Sequence, residues 1–557
     1  MPWYQNYAAV NNSLGLTAFI VAIPIFYLFW ALAVKRMKGH VAGVTTLLLT
    51  LVITIFAYHM PVSVGLSATA LGMVTGLFPI GWIILTAVFF YNLTVEAGQF
   101  EVIKSSISTI SADRRMQALL IAFCFSAFME GVSGQGAPVA VAAAMLIGLG
   151  FSAIPAAVVC LVANTPPVPF GPVGVPTSMM ISVTKINEGV MTRAIGSDMC
   201  LMALIIPVFM LVVLCGWKKT VEVLPAALVA GVSYAATCFL ICHHVGVELP
   251  AIISSFVSLV VLVVFLQFWK PKTIWRFAND PPVESATKTH YTGRQIMKAW
   301  APWVTLMLIM GIWGIPAFKA WANNTRHWLV AIPHWPFLDG IVYRTAPIAS
   351  PAAKYAAGYR WEFFTAAGTA MLISSLVAMV ILGISPKRGA VVFGKTCKQL
   401  SYALITLASV IGIAFLANYS GMSFTLGLAF AHYTGKAFPA VSPLIGWLGV
   451  FLTGSVTSSA ALFGKLQQVT AGQIGVNPVL TTSANLFGGV MGKLISPQSI
   501  AVACAATGLI GRETDIFRKT LKYSVMQLLF VMVVVVLQAY VVPWMVPKDI
   551  VAAAVQP

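Results

Sequence analysis

The chain has 557 residues, of which 59% are hydrophobic and only 9% are charged. So few charged residues cannot cover the surface of a soluble protein of this length, and the long continuous apolar runs exclude a β-barrel. The net charge of +18 is distributed over short loops, which disfavours a nucleic-acid surface. The composition therefore predicts an all-α polytopic membrane protein.

The apolar segments follow one another along almost the whole chain. The first, 14–34, has Lys35 and Arg36 after it instead of before it, which is typical of an uncleaved transmembrane helix. Several later segments are too short to cross about 30 Å of hydrocarbon alone. We expect about 12 or more spans, some of them broken helices or re-entrant hairpins. The later segments are 41–58, 64–95, 117–131, 138–150, 152–164, 197–216, 223–242, 250–269, 299–321, 361–384, 401–418, 440–453, 474–490, 495–510 and 523–545.

Basic residues are concentrated in some of the loops between these segments, and basic loops face the cytoplasm. We therefore predict that the N-terminus is periplasmic, together with 59–61, 243–250 and the long loop 322–360. The predicted cytoplasmic loops are 35–40, 113–115, 217–219, 270–277, 386–398 and 511–522.

Two unusual stretches resemble each other. "ANTPPVPFGPVGVPTS" (163–178) and "ANLFGGVMGKLISPQS" (484–499) share Ala, Asn, Gly, Pro and Ser at a constant offset of 321. Upstream, the break "MEGVSGQGAPVA" (129–140) has a counterpart in "TGSVTSSAALF" (453–463). The charge pattern gives the two regions opposite orientations, and inverted repeats with interrupted helices indicate a secondary transporter.

This pattern divides the chain into four parts. We predict N-terminal helices over 1–63, a first transport repeat over 64–216, connecting helices and loops over 217–398, and a second transport repeat over 399–557.

The breaks are the predicted substrate site. Unwound backbone at membrane depth needs polar partners, and helix N-termini that meet there favour an anion. The alternatives are tight packing through glycine and hydroxyl groups that bond to helix carbonyls. The residues predicted to contact a small anion are Ser133, Gly134, Gln135, Gly136, Asn164, Thr165, Ser455, Thr457, Ser458, Asn485 and Ser499.

Few ionisable residues lie in or near the breaks, and such residues are functional candidates because a charge is costly in the membrane. We expect Glu130 to bind and release a proton, and Lys493 to offset the substrate charge or pair with an acid. Lys465 is expected to be an interfacial lysine whose amine reaches water. The histidines and cysteines show no metal or haem spacing, so we expect no cofactor, with a proton as the coupling ion.

Four segments together resemble the L-lactate permease family: "FCFSAFMEGVSGQGAPVA", "ANTPPVPFGPVGVP", "TGSVTSSAALF" and "GKLISPQSIAVACAATGLIG". The resemblance covers nearly the whole chain. It implies a multi-pass protein of the bacterial inner membrane that imports L-lactate, D-lactate or glycolate by proton symport. Its partners would then be a small monocarboxylate, a proton and membrane lipids, and alternating access would move the substrate.

Three residues depart from the family pattern, and all of them lie in the breaks. Gln135 replaces an aromatic residue, Val456 replaces an acid and Ala460 replaces an amide. These differences leave open another short carboxylate as the substrate, and a passive or differently coupled anion facilitator as the mechanism. A membrane enzyme is disfavoured, because no set of catalytic residues with plausible spacing occurs.

Overall fold

A computed structural model describes most of the chain. The described residues are 2–35, 37–108, 110–134, 137–277, 291–315, 317–318, 321–322, 329–509 and 512–548. Within them, ten helices are long and apolar enough to cross a membrane, and four further apolar helices are shorter. The prediction of an all-α polytopic protein is confirmed.

The first part of the chain contains fifteen of the helices named here. π-helical turns extend α1 over Trp30–Val34, join α3 to α4 over Gly76–Gly81 and join α6 to α7 over Leu119–Phe125. The helices are α1 (Leu14–Phe29), α2 (Gly39–Phe56), α3 (Val62–Thr75), α4 (Trp82–Glu96), α5 (Gln99–Ser108), α6 (Arg114–Ala118), α7 (Ser126–Val132), α8 (Ala137–Gly148), α9 (Ala153–Ala163), α10 (Val175–Thr184), α11 (Glu188–Cys215), α12 (Trp217–Val221), α13 (Leu224–His244), α14 (Pro250–Phe268) and α15 (Gly293–Gly314).

The second part begins with short strands and continues with helices. The strands, including one at the N-terminus, are β1 (Trp3–Tyr4), β2 (Leu329–Ile332), β3 (Val342–Arg344), β4 (Ala353–Lys354) and β5 (Tyr359–Glu362). The helices are α16 (Ala367–Leu382), α17 (Pro386–Ser420), α18 (Met422–Thr434), α19 (Phe438–Thr453), α20 (Val456–Gln473), α21 (Pro478–Lys493), α22 (Pro497–Thr507) and α23 (Glu513–Tyr540).

Helix α17 corrects one predicted boundary. The stretch 386–398 was predicted to be a loop that ends a connecting region, but it is the first third of α17. Ser385 caps this helix by accepting a hydrogen bond from the Arg388 N–H, and Pro386 occupies a first-turn position that suits proline. The lysines of this stretch lie on its exposed side, so their charge does not interrupt the helix.

The regions 62–215 and 386–540 have the same order of helices and breaks. Val62–Glu96 and α17 each have 35 residues, and α11 and α23 each have 28. Between these, each region has a break, two helices, a second break and a short helix. The inverted repeat, with opposite orientation of the two regions, stays a prediction.

Loops that were predicted to share one side of the membrane contact each other. Arg115 is buried, forms ion pairs with Asp113 at 2.7 Å and Glu222 at 2.9 Å, and donates to the carbonyls of Lys219 and Thr273. Its guanidinium therefore joins the three basic loops 113–115, 217–219 and 270–277.

The opposite face is held together by the N-terminal tail. β1 pairs with β3 of the long loop, so Trp3 lies opposite Val342. The Trp3 indole also donates to the carbonyl of His59 at 3.3 Å. The N-terminus, 59–61 and the described part of the long loop, 329–360, therefore lie on one face, as predicted. Which face is cytoplasmic stays a prediction.

Candidate functional site

The first break follows α7. The Ser133 N–H and hydroxyl both donate to the carbonyl of Met129, at 2.9 Å each, so this serine ends the helix. Gly134 follows with φ +56°, a left-handed conformation that favours glycine. Gln135 and Gly136, both predicted to contact the anion, lie outside the described residues.

The proline-rich stretch after α9 is the second break of the first region. Prolines prevent a regular helix here, and the chain makes turns and a short 3₁₀ segment, Val168–Phe170, before α10 begins. A Cβ at Gly171 would overlap the carbonyl oxygen of Glu130, and the Val173 N–H donates to the carbonyl of Gly131 at 2.7 Å. The two breaks of this region are therefore in direct contact.

The second region repeats this arrangement. Gly454, with φ +72°, ends α19, and the Ser455 hydroxyl caps α20 by accepting from the Ser458 N–H at 3.3 Å. A Cβ at Gly454 would overlap the side-chain amide of Gln498 in the first turn of α22. These two breaks are also in contact.

A cavity of about 320 Å³ lies between the breaks of the two regions. Three helices, α10, α20 and α22, begin at its wall. First-turn N–H groups carry partial positive charge, so this wall suits an anion, although the Ser458 and Ser499 N–H groups already donate to the hydroxyls of Ser455 and Ser496. The first-turn and capping residues that line the cavity are Val175, Pro176, Ser455, Val456, Thr457, Ser458, Gln498 and Ser499.

An ion pair between the two regions forms part of the cavity wall. The Lys493 Nζ lies 2.7 Å from the Glu130 Oε1, and the two side chains are 13% and 3% exposed. The second oxygen of Glu130 accepts a hydrogen bond from the buried Asn164 amide at 2.8 Å. Each carboxylate oxygen thus has a donor, which makes a buried charge tolerable.

The remaining wall is largely apolar. α17 contributes Ala403, Leu404 and Leu407, with Thr406 beside them. The cavity also reaches Gly39, the first residue of α2, which belongs to the predicted basic loop 35–40. An apolar wall opposite several N–H groups and an ammonium fits a small organic anion with one charged end.

Some of the predicted site residues line the cavity, and others bond to protein groups behind its wall. Glu130, Lys493, Ser455, Thr457, Ser458 and Ser499 line the cavity. Among the described residues, the Thr457 and Ser458 hydroxyls have no hydrogen-bond partner, whereas Thr165 donates to the carbonyl of Val162 at 2.7 Å and does not line the cavity. Asn164 supports Glu130.

Asn485 is a correction. It was predicted to lie just before an unwound segment, as Asn164 does, but it is inside α21, which continues to Lys493. Its Oδ1 accepts from the Ser459 hydroxyl at 3.3 Å, and its buried Nδ2 has no partner. The constant offset of 321 between the two stretches gives no sign that the unwound segment is shorter in the second region.

Two polar residues that the sequence did not indicate as functional lie at the cavity or in the protein interior. Gln498 lines the cavity, and its position next to Ser499 in "SPQS" is the only signal for it. Asp198 is a second buried carboxyl, in α11 and away from the cavity. It accepts from the Gln538 amide of α23 at 2.8 Å.

The same stretches of sequence are found in known proteins. A family model described as L-lactate permease matches residues 17–542. The chain belongs to the L-lactate permease family. It is therefore a multi-pass transport protein and not an enzyme.

Members of the family resemble the chain from end to end. An L-lactate permease of Bacillus subtilis is 44% identical over 98% of this chain and 100% of its own length. The glycolate permease GlcA of Escherichia coli is 44% identical over 97% of this chain and 98% of its own. Among solved structures, the YdaH transporter of Alcanivorax borkumensis aligns with 86% of this chain and 88% of its own, with a TM-score of 0.45 and 13% identity.

Proposed function

We propose that the chain is a secondary active transporter of the bacterial inner membrane. It imports a small 2-hydroxymonocarboxylate (L-lactate, D-lactate or glycolate) by proton symport. The observation that carries the proposal is the Glu130–Lys493 ion pair in the wall of a cavity where three helices begin. The names of the relatives, L-lactate permease and glycolate permease, support the substrate class.

The substrate carboxylate binds at the helix N-termini and Lys493. The Thr457 and Ser458 hydroxyls, which have no partner among the described residues, donate to it. The short carbon chain lies toward Leu404 and Leu407 of α17. Backbone N–H groups and an ammonium recognise the charge, and the apolar wall limits the length of the chain that fits.

Charge balance couples the proton to the substrate. With Glu130 ionised and the cavity empty, the pair has no net charge. When Glu130 takes a proton, Lys493 loses its counter-ion and binds the substrate carboxylate instead, so the loaded site is again neutral. Substrate alone or proton alone leaves one uncompensated charge, which is costly in the membrane interior. Only the empty and the doubly loaded protein therefore change between the two open states of alternating access.

One observation favours a second function. Val456, in place of the acid in the family pattern, lines the cavity, so the chain lacks this second acid beside Glu130 at the proposed substrate site. A passive or differently coupled carboxylate facilitator is the function that this residue favours. Uptake at equal rates with and without a pH gradient would support it.

Reconstituted protein tests the proposed function. Proteoliposomes with an alkaline lumen should accumulate labelled L-lactate above the external concentration, and a proton ionophore should abolish the accumulation. Counterflow against D-lactate, glycolate, pyruvate and acetate then ranks the substrates. Accumulation that is independent of the pH gradient, or no counterflow with any 2-hydroxy acid, would contradict the proposal.

A further inference from the structure

Three basic side chains lie together away from the central cavity. Lys185 ends α10 in a left-handed conformation with φ +62°, Lys465 is in the middle of α20, and Arg344 ends β3 of the long loop. The aromatic rings beside them form one connected group, because the Tyr355 ring lies 6.2 Å from that of Phe424 and 4.5 Å from that of Tyr419, which in turn lies 6.5 Å from that of Phe415. The three cations come from segments that are far apart in the sequence, so the fold brings them together.

These cations have aromatic neighbours and no acidic partner. Lys185 lies 5.9 Å from the ring of Phe415, Lys465 lies 5.5 Å from that of Phe424, and Arg344 lies 5.1 Å from that of Tyr355. Among the described residues, no carboxylate forms an ion pair with any of the three.

Their hydrogen bonds are also few. The Lys465 Nζ donates to the Gln468 side chain at 2.8 Å, and the buried Arg344 Nε has no partner. Lys185 is exposed, and Arg344 and Lys465 are half-buried. The rings stabilise these cations in part, whereas three like charges without a carboxylate and an unused guanidinium N–H favour the binding of an anion. The expectation that Lys465 is a simple interfacial lysine does not account for this arrangement.

The cluster is connected to the central cavity by two helices. α10 and α20 both begin at the cavity wall and lie side by side, since a Cβ at Gly464 would meet the sulfur of Met180 at 2.6 Å. At 1.5 Å per residue, Lys185 and Lys465 are roughly 14–15 Å along their helices from that wall. Arg344 belongs to the sheet that contains the N-terminal strand β1. The cluster is therefore on the predicted outer face, away from Gly39.

We propose that Lys185, Arg344 and Lys465 form an outer capture site for small carboxylate anions, separate from the central cavity. The site rests on the proposed function, because its ligand is the transported anion before it enters the cavity. The cations attract the carboxylate and the aromatic rings contact its carbon chain. A cluster of positive charge in a low-dielectric recess raises the local anion concentration and the rate of association.

The test measures uptake of labelled L-lactate from the outer face in oriented proteoliposomes, with Lys185→Gln, Arg344→Gln and Lys465→Gln. Each variant should raise the outer KM roughly five-fold with little change in kcat, because capture affects association and not the transport step. The wild-type outer KM should rise with salt, and the triple variant should lose this dependence. Lys354→Gln is the matched control, because Lys354 is an exposed lysine of β4 in the same sheet.

The two possible failures can be distinguished. No wild-type uptake of L-lactate or glycolate would overturn the proposed function, whatever the variants do. With wild-type uptake present, an unchanged outer KM in Lys185→Gln, whose exposed side chain is not needed for folding, would overturn the capture site. Equal KM changes at the inner and outer faces would also overturn it, since the cluster lies on one face only. Unchanged exchange from the inner face confirms that each variant is folded.

Discussion

The breaks in 62–215 and those in 386–540 have the same helical frame but different chemistry. In the first region an acid and an amide at the breaks, Glu130 and Asn164, bond to each other. In the second region the breaks have hydroxyls that cap helices and an ammonium, Lys493. The comparison shows that the regions are complementary and not interchangeable. In the proposed mechanism one supplies the group that takes a proton and the other supplies the groups that bind an anion, and the ion pair joins them.

The largest effect is expected from breaking this ion pair. Lys493→Met leaves the Glu130 carboxylate buried without its counter-ion, which should cost about 3–5 kcal/mol in the free energy of unfolding and abolish uptake. Thermal unfolding in detergent measures the stability. The double variant Glu130→Gln, Lys493→Met should recover most of the stability but no transport.

Arg388→Met is the matched control for the ion pair. It breaks the exposed pair with Glu96, where N and O are 2.9 Å apart, and should cost about 0–1 kcal/mol. A loss for Lys493→Met as small as that for Arg388→Met would show that the central pair does not hold the two regions together.

The next effect concerns the glycines that end the helices at the breaks. Gly454→Ala should lower the unfolding temperature and the uptake rate strongly, because its Cβ meets Gln498 in addition to the left-handed strain. Gly134→Ala should behave in the same way, since its Cβ would lie 2.8 Å from the ring of Pro172.

Gly475→Ala separates strain from contact. Gly475 has φ +71° but open space around its Cβ position, so only the strain of about 1 kcal/mol applies. If all three variants lose the same stability, close contact between paired breaks is not what these glycines provide.

The two asparagines should differ although their sequence positions match. Asn164→Ala removes a donor from the Glu130 carboxylate and should cost about 1–3 kcal/mol together with most uphill uptake. Asn485→Ala removes an amide whose nitrogen has no partner, so its cost should be smaller and its transport near normal. Thermal unfolding and accumulation assays compare the pair. Equal losses in both would restore the predicted equivalence.

The smallest effect is expected from single hydroxyls. Ser458→Ala should raise the KM for L-lactate several-fold, because one hydrogen bond contributes about 1 kcal/mol to binding. Ser133→Ala should leave KM unchanged, because the Ser133 hydroxyl already donates to a helix carbonyl. Initial rates of exchange at varied substrate concentration give both values. A KM that rises in Ser133→Ala alone would place the substrate at the first break instead.

Hydropathy and turn residues were enough to predict the polytopic helical class and breaks within 129–140 and 163–178. The contacts between distant segments were not predictable in the same way. Glu130 and Lys493 each stood out as an intramembrane charge, but their pairing depends on how two regions more than 300 residues apart pack. The sequence around Gln498 does not show that this residue lines the cavity. The sequence around Asp198 does not show that its carboxyl is buried.

The predicted helix bounds were wrong where polar residues lower the hydropathy of a helix. α20 was not predicted, because its hydroxyl, glutamine and lysine residues lower the hydropathy of a mostly buried helix. The first third of α17 looked like a loop, because its lysines hide the periodic burial of Val392 and Thr396.

The role of Glu130 is tested most directly by comparing exchange with accumulation in Glu130→Gln. A glutamine cannot release a proton but resembles the protonated acid, so Lys493 stays free for substrate while the empty site keeps an uncompensated charge. The variant should therefore exchange labelled for unlabelled L-lactate at a near wild-type rate and should not accumulate it under a pH gradient. Glu96→Gln, at the exposed pair, should do both. Uphill uptake by Glu130→Gln equal to that of the wild type would contradict the account.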